Sequence, residues 1–228
     1  MVTAIVLAAG KGKRMGTKSP KQFLEYEGVP LIVKSLKAFE RSPETDRVVL
    51  VTSADYIEYC QKEICEKYQL RKVSAVIAGG AERYESVWNA LQMLEKCGNP
   101  EDHYVLVHDG ARPFVTEEII ARLTAAAKEY GAAAAGMPSK DTVKIVDEEG
   151  VVMSTPPRKL VWIIQTPQAF RLSLLLEANR KLMAEGNMAD VTDDAMIVER
   201  SGLARVRLVE GSYENIKITT PDDLKYLS

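Results

Sequence analysis

Histidine, cysteine and long apolar runs are all scarce in this chain of 228 residues. Its two histidines are too few for a histidine-rich metal centre. The three cysteines, Cys60, Cys65 and Cys97, are odd in number and lack metal-site spacing, so they fit reduced, buried cysteines. No apolar run approaches membrane-spanning length, and no signal peptide is visible. These absences predict a cytoplasmic protein with no membrane partner.

A strong excess of charge is missing as well. The formal net charge is −2, and apolar residues make up 46% of the chain, which is typical of an ordinary globular protein. The chain lacks the basic excess that general nucleic-acid binding requires, so we expect no nucleic-acid partner. The length suffices for one sizeable α/β domain, and we treat residues 1–228 as a single domain.

What the chain does contain is a regular alternation of strand and helix patterns. Apolar runs predict strands at 2–8, 47–52, 73–78, 104–108, 132–137, 161–165 and 205–209. Helical periodicity separates most of them. The alternation predicts an α/β fold with a Rossmann-like, mostly parallel sheet flanked by helices.

Local signals predict finer detail. Asp55 is placed to cap a helix that runs to about Tyr68. The Thr-Pro-Gln sequence at 166–168 predicts a turn. The alternation at 215–219 predicts that two isoleucines share one face and that Lys217 lies on the other. His108, at the end of a strand, is expected to be a packed structural residue.

The stretch after the first strand is the most informative part of the sequence. Three glycines are interleaved there with three cations: Gly10, Lys11, Gly12, Lys13, Arg14 and Gly16. Glycines at a strand end let the backbone approach a ligand closely and direct N–H groups at it. Three cations in one loop repel each other unless an anion lies among them. The loop therefore predicts a polyphosphate ligand.

Two familiar phosphate loops do not match this stretch. The dinucleotide pattern has Met15 where its third glycine belongs, and the usual ribose-binding acid is not evident. This disfavours a nicotinamide-dependent oxidoreductase. In the ATPase pattern the second glycine falls one residue late, at Gly16, and Thr17 follows it.

Further candidate residues follow two other strands. Gly79 and Gly80 come directly before a helix whose first turns carry Arg83 and Ser86. Asp109 ends the fourth strand, where a carboxylate can hold a hydrated Mg²⁺ or cap the loop. In an open α/β sheet the carboxyl ends of the strands form the ligand cleft, so we expect these residues to meet there.

The segment 138–160 interrupts the strand–helix alternation. Two short apolar runs, 143–146 and 151–153, flank an acidic turn and predict a β-hairpin. A two-stranded hairpin is barely stable alone. We therefore predict an arm that forms a homodimer, with a hairpin folded back on its own domain as the alternative.

These residues resemble the sugar and alditol nucleotidyltransferases, and more closely the 2-C-methyl-D-erythritol 4-phosphate cytidylyltransferase family of the non-mevalonate isoprenoid pathway. Eight motifs carry the resemblance in order: residues 7–16, 21–24, 79–86, 108–113, 141–144, 165–168, 192–195 and 215–217. Gly110 departs from the family pattern, which usually has Ala, and we expect no effect on function.

The resemblance implies that CTP and methylerythritol phosphate react, with Mg²⁺, to give a CDP-alditol and pyrophosphate. It implies that three cations act at the α-phosphate: Arg14, Lys21 and Lys217. It implies that Ala8, Ala9, Gly10, Gly12, Met15 and Gly16 wrap the triphosphate, and that Gly79, Gly80 and Ser86 bind cytosine, with Arg83 supporting that loop. It implies an acceptor site formed by Asp109, Arg112, Thr142, Arg158, Thr166 and Thr192. Thr142 and Arg158 would come from the partner's arm, and Asp109 would also contact the metal, directly or through water.

The chemistry agrees with this inventory. The nucleophile is a phosphate monoester with a second pKa of about 6, so it is largely deprotonated at neutral pH and needs no general base. The site must instead neutralise the charge that builds up at phosphorus.

Two alternatives remain open from the sequence. A ribitol 5-phosphate cytidylyltransferase would share the nucleotide motifs and differ only in the acceptor half. A non-catalytic nucleotide sensor would share the fold, but it would not need Arg14, Lys21 and Lys217 at a reacting phosphorus.

Overall fold

The fold is organised around one seven-stranded sheet. A computed structural model describes residues 1–10, 20–220, 222, 223 and 225. The strands are β1 (Val2–Ala8), β2 (Glu25–Tyr26), β3 (Val29–Pro30), β4 (Arg47–Thr52), β5 (Val73–Ala78), β6 (Tyr104–Asp109), β7 (Ala132–Pro138), β8 (Ile145–Val146), β9 (Val152–Ser154), β10 (Trp162–Arg171) and β11 (Arg207–Glu210). The α-helices are α1 (Leu31–Arg41), α2 (Ile57–Tyr59), α3 (Arg83–Glu95), α4 (Glu117–Tyr130), α5 (Leu172–Ala184) and α6 (Asp194–Ser201). Short 3₁₀-helices span Lys21–Phe23, Ala54–Tyr56, Pro100–Asp102 and Arg158–Leu160, and a π-helix spans Cys60–Glu66.

The strand order across the large sheet is β11-β7-β10-β6-β1-β4-β5. Neighbouring strands are parallel except where β10 runs antiparallel to both β6 and β7. The prediction of a mostly parallel α/β sheet is confirmed. The carboxyl ends of β1, β5 and β6 meet at one edge, and the antiparallel β10 brings its first half to that edge.

Helices cover both faces of the sheet. In β1, Ala4 and Val6 pack in the cluster that contains α1 and α4, whereas Ile5 packs in the cluster that contains α3, α5 and α6. All three strand residues have no exposed surface. A strand buried on both faces needs apolar side chains at successive positions, which explains the continuous apolar run in the sequence.

The predicted turn at 166–168 is wrong, because these residues lie inside β10. The pairing with β7 shifts register between Ile164 and Gln168, and the Thr166–Pro167 peptide bond is cis. Proline has no N–H to donate to a sheet, which is why it is confined to strand edges and irregularities. The bulge keeps Gln168 in register with Val107 of β6.

The predicted cap at Asp55 is also wrong. Asp55 lies within the 3₁₀-helix Ala54–Tyr56, which follows Ser53, and no capping side-chain bond is present at Ser53 among the described residues. α2 and then the π-helix continue the segment. The acidic side chain in the first turn favours the helix start through its charge.

The segment 215–219 does not form a strand in the described structure. Ile218 is fully buried, whereas Ile216 and Lys217 are both partly exposed, so burial does not alternate here as predicted. Distant residues hold its backbone: the N–H of Ile218 donates to the carbonyl of Ala111 over 2.9 Å, and the carbonyl of Asn215 accepts from the Arg112 guanidinium over 2.7 Å. The alternation of isoleucine and lysine therefore does not reflect sheet pairing.

The hairpin predicted at 138–160 is present as β8 and β9, which pair antiparallel in a separate two-stranded sheet. The carboxylate of Asp147 accepts hydrogen bonds from the N–H groups of Glu149 and Val151, which fixes the turn. The hairpin carries large apolar side chains in solvent; Met153, for example, is 68% exposed. Among the described residues, no helix is both long enough and apolar enough to cross a membrane.

Candidate active site

Two adjoining cavities open at the carboxyl edge of the sheet. The first, of about 200 Å³, is lined by Leu7, Ala8, Ala9, Gly10, Gln22, Gly80, Ala81, Glu82, Arg83, Ser86, Asp109, Ala111 and Lys217. The second, of about 230 Å³, is lined by Arg83, Asp109, Arg112, Ile164, Gln165, Thr166, Gln168, Thr192, Asp193 and Lys217. The linings share Arg83, Asp109 and Lys217. The two cavities thus meet at three charged side chains.

The loop at Gly79 and Gly80 is held by the first turns of α3. The Ser86 hydroxyl accepts from the N–H of Gly80 over 3.1 Å, and the Glu85 carboxylate accepts from the N–H of Ala81 over 2.7 Å. A Cβ atom at Gly79 would lie 2.6 Å from both the Ser86 hydroxyl and the Ala9 side chain. Glycine is therefore required here, because the loop backbone packs directly against the end of β1.

Asp109 is the centre of the charged group between the cavities. Its carboxylate lies 2.6 Å from the Lys217 ammonium and 3.4 Å from Nε of Arg83. Its backbone N–H donates to the Thr166 hydroxyl over 3.0 Å, which joins the end of β6 to β10. Asp109 is 8% exposed, so these contacts are shielded from water.

The electrostatics of this group favour the ionised forms. Burial alone would raise the pKa of Asp109, but Arg83 and then Lys217 outweigh it and hold that pKa well below its usual range. Burial would lower the pKa of Arg83, and Asp194 and Asp109 raise it instead. Asp109 is therefore a carboxylate, and not a proton donor, at neutral pH.

Arg83 makes contacts that differ from the role expected for it. The prediction that it supports the glycine loop is not matched by its described hydrogen bonds. Its guanidinium reaches Asp194 over 2.8 Å as well as Asp109. The side chains that hold the loop are instead those of Ser86 and Glu85.

Arg112 supports the segment that carries Lys217. Its guanidinium donates to the carbonyl of Asn215 over 2.7 Å. The Asn215 amide donates to the carbonyl of Thr166 over 2.9 Å, so this segment is attached to β10 as well. Burial lowers the pKa of Arg112. Lys217 thus extends from a backbone that is fixed from two sides.

His108 is a packed structural residue, as the sequence predicted. It is fully buried and lies edge-on to the Phe39 ring, with 5.2 Å between ring centroids. Its Nε2 contacts the carbonyl of Arg112 over 3.1 Å, and its Nδ1 contacts the hydroxyl of Thr166 over 3.2 Å. Burial lowers its pKa to about 4. A neutral ring with its proton on Nε2 satisfies both contacts.

The structure brings together most of the residues that were predicted to form the site. The first cavity contains Ala8, Ala9, Gly10, Gly80, Arg83, Ser86, Asp109 and Lys217. The second contains Arg112, Thr166 and Thr192 in addition to the shared residues. Gly12, Arg14, Met15 and Gly16 lie outside the described residues, and for Lys21 only the backbone, which begins a 3₁₀-helix, is described.

Thr142 and Arg158 are not brought to either cavity of the same chain. Both are exposed on the arm segment, and the Arg158 guanidinium donates to the carbonyl of Lys140 over 3.2 Å.

Four residues with a part in the site were not singled out from the sequence. They are Gln22, Gln168, Asp194 and Asn215. All four lie within motifs that carried the resemblance, so the sequence pointed to their positions. It could not predict their roles, because each role depends on which distant segment the buried polar side chain contacts.

The comparisons with known proteins agree with one another. The family model for 2-C-methyl-D-erythritol 4-phosphate cytidylyltransferase (IspD) matches residues 2–227 of this chain. A 2-C-methyl-D-erythritol 4-phosphate cytidylyltransferase from Geobacter metallireducens is 46% identical over 223 residues, which cover 98% of this chain and 94% of that protein.

Solved structures give the same result. The 4-diphosphocytidyl-2C-methyl-D-erythritol synthase from Anaerococcus prevotii matches with a TM-score of 0.83 and 35% identity over 99% of this chain and 93% of its own. The 2-C-methyl-D-erythritol 4-phosphate cytidylyltransferase from Francisella tularensis matches with a TM-score of 0.81 and 32% identity over 99% of this chain and 97% of its own.

Proposed function

Since the chain belongs to the 2-C-methyl-D-erythritol 4-phosphate cytidylyltransferase (IspD) family, we propose that its two cavities hold the two substrates of that reaction. The enzyme converts CTP and 2-C-methyl-D-erythritol 4-phosphate to 4-diphosphocytidyl-2-C-methyl-D-erythritol and pyrophosphate. CTP occupies the first cavity, between the end of β1 and the start of α3, and the alditol phosphate occupies the second. The observation that carries this assignment is that both linings include Arg83, Asp109 and Lys217.

The reaction is an in-line attack at the α-phosphorus of CTP. An oxygen of the acceptor phosphate forms the new P–O bond, and the bond to the β-phosphate breaks as pyrophosphate leaves. Lys217, at the boundary of the cavities, neutralises charge on the α-phosphate, together with Arg14 and Lys21. Asp109 is already ionised and paired, so we assign it to orienting Lys217 and the acceptor rather than to accepting a proton.

The remaining predicted residues keep their proposed roles, except Arg83, whose described contacts are with Asp194 and Asp109. The triphosphate is wrapped by Ala8, Ala9, Gly10, Gly12, Met15 and Gly16. Cytosine is bound by Gly79, Gly80 and Ser86, with Arg83 nearby, and the acceptor is bound by Arg112, Thr166 and Thr192 in addition to Asp109. Gly80 and Ser86 line the first cavity, which supports the cytosine assignment.

Magnesium is proposed to enter with the triphosphate. Among the residues that the structure describes, no group of three or more His, Cys, Asp or Glu side chains is placed to hold a metal ion. Asp109 faces both cavities, but its oxygens already contact Lys217 and Arg83. This donor set fits Mg²⁺ held mainly by phosphate oxygens, with Asp109 as a contact through water. When bound, the ion supplies further charge neutralisation at the phosphates.

The arm at 138–160 is proposed to form a homodimer and to bring Thr142 and Arg158 to the partner's acceptor cavity. The apolar side chains exposed on and beside the hairpin support this assignment: Ile145, Val146, Val151, Val152, Met153, Leu160 and Ile163 are each 49–72% exposed. A hairpin folded back on its own domain would bury them. We propose that residues 1–228 otherwise act as one domain, because strands from residue 2 to residue 210 share one sheet.

A cytoplasmic location remains a proposal. The three cysteines, Cys60, Cys65 and Cys97, are free thiols, as a reducing compartment requires. Cys60 is buried as predicted, but the prediction is wrong for Cys97, which is exposed just after the end of α3.

The test of function is pyrophosphate release from CTP and Mg²⁺ in parallel reactions with 2-C-methyl-D-erythritol 4-phosphate and ribitol 5-phosphate. We expect turnover with the first acceptor and little with the second. Faster turnover with ribitol 5-phosphate would contradict the acceptor assignment, and CTP binding without turnover on either acceptor would favour the sensor.

A further inference from the structure

Asp194 is a buried carboxylate at the start of α6 that has no assigned role in the reaction. It has no exposed surface, and its Oδ2 accepts from the Arg83 guanidinium over 2.8 Å. Its other oxygen, Oδ1, is buried without a hydrogen-bond partner in the described part of the chain. A buried carboxylate with one open oxygen is costly for folding alone, so its position calls for a functional reason.

The position of Asp194 does not depend on Arg83. The Gln168 side-chain oxygen accepts from the backbone N–H groups of Asp194 and Ala195, over 3.1 and 2.9 Å. The Gln168 amide donates to the carboxylate of Asp193 over 2.9 Å, and that carboxylate also caps α6 by accepting from Met196. Gln168 thus attaches the start of α6 to β10. Asp194 is therefore held in a fixed position, from which its carboxylate can bind the positive charge of Arg83.

Four charges of alternating sign connect this fixed point to the cavities. Asp194 contacts Arg83, Arg83 contacts Asp109, and Asp109 contacts Lys217, over 2.8, 3.4 and 2.6 Å. The guanidinium of Arg83 is shared between two carboxylates, and its shorter contact is with Asp194. If that contact were lost, Arg83 would move toward Asp109 and compete with Lys217 for its carboxylate.

We infer that Asp194 is a positioning residue, which holds Arg83 back so that Asp109 keeps Lys217 at the boundary of the two cavities. The inference rests on the proposed function, because it assigns Lys217 to the reacting phosphate. It also connects the nucleotide side, where α3 carries Arg83, to the acceptor side, where Thr192 precedes α6. Asp194 itself lines neither cavity and acts through Arg83 alone.

The test is steady-state pyrophosphate release by Asp194→Asn. The amide keeps the shape and one acceptor oxygen but removes the charge that holds Arg83. We expect kcat to fall about tenfold or more while KM for CTP changes less than about threefold, because the lost interaction matters in the transition state. The matched control is Glu95→Gln, which removes the ion pair between the far end of α3 and Arg180, and its kcat should stay within about twofold of wild type.

A double-mutant cycle separates positioning from a general effect on folding. If Asp194 acts through Arg83, the pair Asp194→Asn and Arg83→Gln should be no slower than Arg83→Gln alone. Effects that multiply would overturn the inference, as would a folded Asp194→Asn enzyme with wild-type kcat.

If Asp194→Asn does not fold, Arg83→Lys is the second variant that tests the inference. A lysine is a point charge that cannot bridge both carboxylates, so it should lose kcat and retain CTP binding; full activity would overturn the inference. A wild-type enzyme without turnover would instead contradict the proposed function itself. An active wild type with an unaffected Asp194→Asn enzyme overturns the positioning role alone.

Discussion

Asp109 is the residue whose surroundings bear most directly on the proposed mechanism. A carboxylate beside a reacting phosphate can act as a general base only if its pKa lies near the working pH. Arg83 and Lys217 hold the pKa of Asp109 far below that range. The residue is therefore a fixed negative charge that orders cations. This agrees with an acceptor phosphate that is already deprotonated and needs positioning and charge neutralisation.

Replacement of Lys217 tests this conclusion directly. In Lys217→Ala we expect kcat to fall by a factor that corresponds to roughly 2.7–4 kcal/mol of barrier, by analogy with the loss of one oxyanion donor. The Kd of CTP should change little, since the cation acts mainly on charge formed in the transition state. Pyrophosphate release and calorimetric CTP binding measure the two effects. Arg14→Ala and Lys21→Ala should behave alike.

Lys128→Ala is the control for removal of a lysine. Lys128 pairs with Glu44 on the surface, and such exposed pairs contribute little. Equal turnover of the Lys217→Ala and Lys128→Ala enzymes would contradict the mechanism.

At the scale of elements, the strands that show a clear apolar periodicity were predicted correctly. The predictions failed for segments that are held by side-chain hydrogen bonds to distant residues. The bounds of β1, β4 and β5 match the apolar runs, because a strand buried on both faces needs apolar residues at successive positions. The turn predicted at 166–168 and the extended segment at 215–219 were misjudged together. The two segments contact each other through Asn215, whose amide donates to the carbonyl of Thr166 across 49 residues of sequence. No local pattern reports such a contact.

The segment that carries Lys217 is attached to β10 through the buried amide of Asn215. Asn215→Ala removes the donor to Thr166 and leaves that buried carbonyl without its bond, which should lower the free energy of unfolding by about 1–3 kcal/mol. Because Lys217 is only two residues away, kcat should fall as well, and by more than CTP affinity. Urea unfolding and turnover at a temperature where the variant is folded measure both changes. The exposed Asn187→Ala is the matched control; a variant at 215 that loses stability but keeps kcat would show that the segment does not need this anchor.

At the scale of the whole molecule, the two buried histidines make stability depend on pH. Burial lowers the pKa of His103 to about 4, assisted by Arg47 and the N-terminal amine, and burial lowers the pKa of His108 to about 4. Both rings are neutral in the folded state, whereas in the unfolded chain they take up protons below about pH 6.5. The unfolded state thus binds more protons as the pH falls from about 6.5 to about 4, and stability is lost across that window.

The expected loss is about 2 kcal/mol per histidine between pH 7 and pH 5. Asp194 works in the opposite direction, because burial raises its pKa and its protonation favours the folded state as the pH falls. Urea unfolding at the two pH values measures the sum. His103→Gln should remove about half of the histidine contribution, and an unchanged pH dependence in that variant would contradict the assignment.

The proposed arrangement of two subunits is the largest-scale feature of the proposed site, and a test of it needs no structural readout. If Arg158 serves the partner's site, each site contains Lys217 from one chain and Arg158 from the other. An Arg158→Ala enzyme and a Lys217→Ala enzyme should then each be nearly inactive, while co-expression of the two chains should restore about a quarter of wild-type turnover, because random pairing gives half mixed dimers with one intact site in each.

The same mixture distinguishes the alternative arrangement. If each arm folds back and serves its own chain, every site in a mixed dimer carries one of the two substitutions, and mixing restores no turnover.

The substitutions Ile145→Asp and Met153→Asp place charges on the exposed apolar arm and should give monomers in sedimentation together with the loss of turnover. Leu203→Asp, at an exposed apolar residue away from the arm, should leave both the oligomeric state and turnover unchanged. An arm variant that is monomeric and fully active would show that the second subunit contributes nothing to the site.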